Sequence, residues 1–146
     1  MTHPRKTVRA SAITALTGLT TTGSNVFESQ VYPLEDSDLP ALRVYTRNDT
    51  FGTLEREYTS VSAAWSGYAR QIELVVEVVV KSATTPDATV DTICEEVEAA
   101  LEAKSAWTSN VGQVTYDRTE IEFSADAEIR QATAFITYLI SWFPDP

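Results

Sequence analysis

This chain is poor in the residues on which most catalytic and metal sites are built. It has one histidine, one cysteine and one methionine in 146 residues. A Ser-His pair or a His-bearing metal site would rest on His3 alone. His3 lies near the start of the sequence, where chains are often loosely held. A lone cysteine, Cys94, excludes an internal disulfide framework and suits a reducing compartment. Positive charge is scarce as well: 11 Lys and Arg stand against 21 Asp and Glu, a formal net charge of −10. Gripping phosphate needs concentrated Lys and Arg, so this composition argues against a DNA- or RNA-binding surface. No apolar run approaches the ~20 residues of a bilayer-spanning helix. The basic opening from Met1 to Lys6 leads into no apolar segment of the signal-peptide kind. The glycines at 18 and 23 follow a helical pattern, and no Lys-Ser/Thr comes after them, so they do not make a phosphate-cradling loop.

What is present fits one domain over residues 1–146. Hydrophobic content of 43% and charged content of 22% are ordinary for a globular chain of this length. The strongest pattern runs over residues 68–81. Ile72, Leu74, Val76, Val78 and Val80 alternate with Gln71, Glu73, Val75, Glu77, Val79 and Lys81. A period of two in β-branched residues predicts a central strand with one face fully packed and one half covered.

Around it the other elements follow in order. Val8, Ala12, Ala15, Leu16 and Leu19 predict a helix over 7–19, with Arg5, Lys6 and Arg9 near its start. Those bases run against the helix dipole, so they either face a partner or belong to a loose, solvated end. Short strands are expected over 26–32 and 41–45, separated by Pro33 and an acidic loop. Thr85, Pro86 and Asp87 form a helix start, with Thr85 as N-cap. Val90, Ile93, Cys94, Val97 and Leu101 make the apolar stripe of that helix over 86–104, and Glu95, Glu96, Glu98 and Glu102 its solvated side. Residues 111–123 read as a strand in which Val114 and Tyr116 lie on one side. Ile121 and Phe123 follow on the other after a parity change, which predicts a bulge near Arg118. Residues 129–143 fit a helical stripe and a strand alike; their content of strand formers favours β. The expected architecture is α+β: an antiparallel-rich sheet with two helices on one face, and a long hairpin-like arm. Its second face would be open to solvent or to another subunit.

The arm is the stretch 46–67, where the turn residues Arg47, Asn48, Asp49 and Gly52 mix with large apolar groups. Phe51, Leu54, Tyr58 and Trp65 are candidate interface residues: they fold back on the core or await another chain. Glu35, Asp36 and Asp38 are candidate ring-face or lumen acids, since that loop cannot be buried with its charges unpaired. Asp36 and Asp38 lack the spacing of an EF-hand and read more simply as a polar turn. Cys94 lies in a helix stripe, where a thiol acts as a small hydrophobe. No catalytic, cofactor or metal residues are assigned, and the chain is not read as an enzyme.

Taken together, the chain resembles the tail terminator proteins of long-tailed bacteriophages, the minor tail protein U-like group. The residues that carry the resemblance are Arg9, the run Gly23-Ser24-Asn25-Val26-Phe27 and the run from Asp38 to Tyr45. The alternating strand from Ile72 to Val80, the helix through Asp91-Thr92-Ile93-Cys94-Glu95-Glu96 and the aromatic last strand complete the order. The resemblance implies a structural virion protein at the head-proximal end of the tail, assembled in the host cytoplasm. It implies a homo-oligomeric ring, expected to be a hexamer, that caps the tail tube, stops its polymerisation and meets the head connector. DNA would pass through unbound, and no cofactor or membrane would be involved. An acidic chain suits such a lumen. The alternatives are a neck, head-completion or tail-completion protein of the same region, and, from other classes, a small ligand-binding or catalytic α+β domain or an adaptor for one cellular partner.

Overall fold

A computed structural model describes residues 3–53, 68–82, 85–125 and 130–143. Helix α1 spans Pro4–Leu16 and α2 spans Pro86–Glu102. The strands are β1 (Val26–Glu28), β2 (Ala41–Thr53), β3 (Tyr68–Ser82), β4 (Val111–Ala125) and β5 (Arg130–Trp142). They form a single five-stranded sheet in the order β1-β2-β3-β5-β4. Only β1 and β2 run parallel; the other neighbours are antiparallel. This is the expected α+β architecture, with β3 at its centre.

The valine-rich alternation decides the layering. Ile72, Leu74, Val76, Val78 and Val80 of β3 turn to the helices and are essentially fully buried. Leu42 and Val44 of β2 and Ala132, Ala134, Ile136, Tyr138 and Ile140 of β5 join them in one core. From above come Val8, Ala12 and Leu16 of α1 and Val90, Ile93, Val97 and Leu101 of α2. Burying a side chain of this size stabilises by roughly 1.5–3 kcal/mol. α1 lies over β1 and β2, whereas α2 crosses β3 and β5.

Several boundaries differ from the sequence expectation for identifiable reasons. α1 begins earlier because His3, expected to be incidental, is its N-cap: the ring Nδ1 accepts from the Arg5 N–H at 3.1 Å. Gly18, at φ +93°, lies just beyond its end, in a conformation that favours glycine. β1 stops at Glu28, because Ser29 takes φ +130° and leaves the strand. α2 ends at Glu102, and Thr85 gives it no side-chain cap. The largest change concerns residues 46–53, expected as part of an arm. They continue β2, paired from Asp49↔Ile72 to Thr53↔Tyr68, with an irregularity between Thr46 and Asp49. The turn-forming residues Arg47 and Asn48 sit at that bulge, which tolerates them inside a strand.

The second face of the sheet is a correction. It was expected to be open, yet Ala41, Tyr45, Val75, Glu77, Val79 and Thr137 are all buried. Val75 lies in register between Tyr45 and Thr137. The charges on this face are matched across strands: Arg43 with Glu77, and Arg47 with Glu73 at 3.4 Å. Arginine stems laid across a sheet cover apolar surface while their heads stay paired.

Candidate functional site

The expected arm residues are only partly placed. Phe51 belongs to β2, its backbone paired with Arg70. Leu54, Tyr58 and Trp65 lie outside the described residues. The acidic loop is a single 3-10 turn, Asp36–Asp38. Glu35 is exposed, while the Asp38 carboxylate turns back to accept from the Glu35 N–H at 3.0 Å. Asp38 thus shapes its own loop. Nothing on the described surface brings these acids together with Phe51 into one site.

The bases of α1 are not all idle. Arg9 donates to Glu28 at 2.7 Å and to the Thr46 hydroxyl at 2.9 Å, tying α1 to β1 and β2. Arg5 reaches Asp49 at 3.4 Å. Lys6 remains exposed on the helix, beside a shallow concavity whose lining includes Ala10, Thr14, Ala106 and Thr108.

The most unusual surface is β4, which the sequence reading did not single out. Among the described residues it is an edge strand, with β5 as its one partner. Val114, Tyr116, Ile121 and Phe123 pair with Ile140, Tyr138, Ala134 and Ala132, which are all core positions of β5. They therefore share the helix-side face. The sequence reading placed Ile121 and Phe123 on the opposite side from Tyr116. The bulge between Tyr116 and Arg118 absorbs Asp117 and restores all of them to one face. The opposite face carries Gln113, Thr115, Arg118, Glu120 and Glu122, by the same pairing. Among the described residues, neither helix packs closely over β4. Tyr116 is 45% exposed, Ile121 44% and Phe123 59%.

Beside this strand lies the outer side of α2. Asp91, Glu95, Glu98 and Glu102 have no ion-pair partner among the described residues. Glu96, by contrast, is engaged: its carboxylate accepts from the Thr21 N–H at 3.0 Å and from the Thr21 hydroxyl at 2.5 Å. Between α2 and β4 sits Tyr138, edge-on to Tyr116 with ring centroids 5.8 Å apart. Its hydroxyl is buried without a hydrogen-bond partner. Burial, reinforced by Glu98 and Glu102, pushes its pKa above the ordinary phenol value. Cys94, half buried on the same helix, is held up to about 11 by burial and by Glu98 and Asp91. A thiol so placed is a poor nucleophile at neutral pH.

The signal that could have found this surface is the alternation of Ile121 and Phe123 with Glu120 and Glu122, read against the number of helices available to cover it. Among the described residues no group of three or more His, Cys, Asp and Glu could hold a metal ion. No protein-family model matches the chain, and no curated protein is significantly similar to it.

Proposed function

We propose that the chain is a ring-forming structural protein of a virion, a tail terminator that caps the tail tube and meets the head connector. The observation that carries this reading is the edge of the sheet. Among the described residues, β4 offers a long unpaired edge and an apolar face left uncovered by the two helices, and exposed patches of this kind mark surfaces meant for another protein. A ring needs heterologous contacts between unlike surfaces, and the α1 and β4 ends of the sheet are unlike. The net charge of −10, repeated around a ring, suits a conduit that must not hold DNA.

The competing ligand-binding reading would use the second face of the sheet as a pocket. Its two candidate polar groups, Glu77 and Glu73, are occupied by Arg43 and by Arg47 and Asn48. That observation favours assembly over ligand capture.

Native mass measurement of the purified chain, alone and with a tail-tube protein, tests the proposal. A closed ring, or ring formation on the tube end, is the expected result. The assembled form is expected to leave duplex DNA unretarded at low salt, where attraction would be strongest. A persistent monomer in both conditions, or a clear shift of DNA, would overturn it.

A further inference from the structure

Packed helices lie about 8–10 Å apart and neighbouring strands about 4.8 Å, so one helix covers about two strands. α1 lies over β1 and β2 and α2 over β3 and β5, which leaves β4 as the odd strand of the sheet. One more helix beside α2 would rest on Tyr116, Ile121 and Phe123, the exposed apolar side chains of that strand. We propose that this place is taken by a basic amphipathic helix of a different protein. Its source, a neighbour of the ring, rests on the assembly reading; its chemistry does not.

The wall that α2 turns to this place is acidic. Asp91, Glu95, Glu98 and Glu102 recur at intervals of four, three and four residues. At 3.6 residues per turn they form one stripe about 40° wide. The stripe lies on the β4 flank of the helix. Burial comes first in raising the Tyr138 phenol, but Glu98 and Glu102 add to it, and Tyr138 stands edge-on to Tyr116 of β4. Glu96 points the other way, to Thr21 in the loop after α1. At the C-terminal end of α2 the same flank opens into a concavity lined by Glu102, Trp107, Val111, Gln113 and Val114, so the groove continues past Tyr116.

The groove thus has an apolar floor and one anionic wall. A helix with apolar residues on one face and Lys or Arg along the adjoining flank matches both, and complementary potentials of this kind steer and select a partner. A second copy has no such helix to offer among the described residues. α2 carries no base, and Arg5 and Arg9 of α1 are already held by Asp49 and Glu28. A strand added along the β4 edge would extend the sheet and leave the face above β4 bare.

The probe is a fluorescein-labelled peptide of about 18 residues, with Leu and Ala on one helical face and Lys on the other. Its anisotropy is read against the full-length chain, and a peptide with Glu in place of Lys is the control. Micromolar binding of the Lys peptide, weakening as salt rises, and no binding of the Glu peptide are expected. Within Ile121→Ser/Phe123→Ser, each truncated side chain should weaken binding on the order of tenfold. Glu95→Gln/Glu102→Gln should cost about two- to fivefold per charge. Glu35→Gln/Glu122→Gln removes as much charge away from the groove and should leave affinity within about twofold. All six positions are exposed, and thermal unfolding checks that each variant is folded. Should the double β4 variant unfold, Phe123→Ser alone is read in its place.

No binding of the Lys peptide, or full binding by the β4 variant, would overturn the site. An equal loss in the charge control and in the α2 variant would overturn it as well, as unspecific attraction to an acidic protein. Native mass of the β4 variant separates the site from the ring. A ring that still forms is expected, since the face is then free for the partner. A ring lost with the β4 side chains would give the face to a second copy, which overturns the partner and leaves the assembly reading intact. A persistent monomer that binds the Lys peptide would remove the ring and leave the groove and its occupant standing.

Discussion

Arg43 and Glu77 stand opposite each other on β2 and β3 and are ion-paired on the face away from the helices. Glu77 is the more buried partner, with 7% of its side chain exposed against 22% for Arg43. Arg43 also donates to the Tyr32 carbonyl at 3.0 Å, so one guanidinium ties the central sheet to the chain leaving β1. Removing Arg43 strands a carboxylate in the sheet, and Arg43→Met is expected to cost on the order of 3 kcal/mol. Replacing both partners, as Arg43→Met/Glu77→Leu, should cost less than the single change, because no charge is then left unpaired. Urea unfolding of the set checks that order.

Leu74 is fully buried at the middle of β3, beneath both helices. Leu74→Ala is expected to destabilise by about 2–5 kcal/mol, as core cavities do. A melting temperature equal to that of the wild type would contradict the assignment of this face to the core.

Glu96 holds the loop after α1 against α2 through two bonds from Thr21. Glu96→Ala removes a charged acceptor from a partly buried donor pair, and a loss of about 1.5–3 kcal/mol is expected. Glu95→Ala, one position along on the exposed side of the same helix, should change stability by less than ~0.5 kcal/mol. Denaturation midpoints of the two variants give the comparison.

Cys94 makes stability fall at alkaline pH. Its thiol ionises near 9.0 when the chain is unfolded and near 11 when folded. The folded chain therefore keeps a proton that the unfolded chain gives up across that interval. Stability is unaffected by this group below the lower value, declines as pH rises through the window and levels off above it. Tyr138, also raised, extends the decline. Unfolding midpoints measured across the window should fall less steeply in Cys94→Ala than in the wild type. The same thiol should react with alkylating reagents at neutral pH roughly a hundredfold more slowly than a free cysteine, because less thiolate is present.

The parts of this fold legible in sequence are those whose pattern is local and periodic. β3 and α2 carry uninterrupted periods of two and of three to four, and each fell within a few residues of its place. β5 fitted helix and strand alike, and its aromatic and β-branched residues pointed correctly to β. Residues 46–53 were missed because Arg47-Asn48-Asp49 has turn chemistry, and only pairing with β3 makes it a bulge. The closed second face was missed because Arg43–Glu77 and Arg47–Glu73 join residues far apart in the chain. The β4 surface escaped for a related reason. Its apolar face was visible, but its exposure depends on how far two helices reach, which no local pattern encodes.

Asp117 sits where β4 gains one residue on β5. Skipping it leaves a regular alternation from Val114 through Phe123, so the residue is not needed to aim the apolar side chains. What an extra residue does is bend the strand and sharpen its twist. A bent edge rejects most strands that meet it, whereas a flat one accepts almost any. Asp117 can therefore be understood as a guard on promiscuity through the extra length of backbone it inserts. A chain lacking it is expected to keep its core and its fold but to present a flatter edge, and light scattering at rising concentration should then detect more strand-to-strand aggregation.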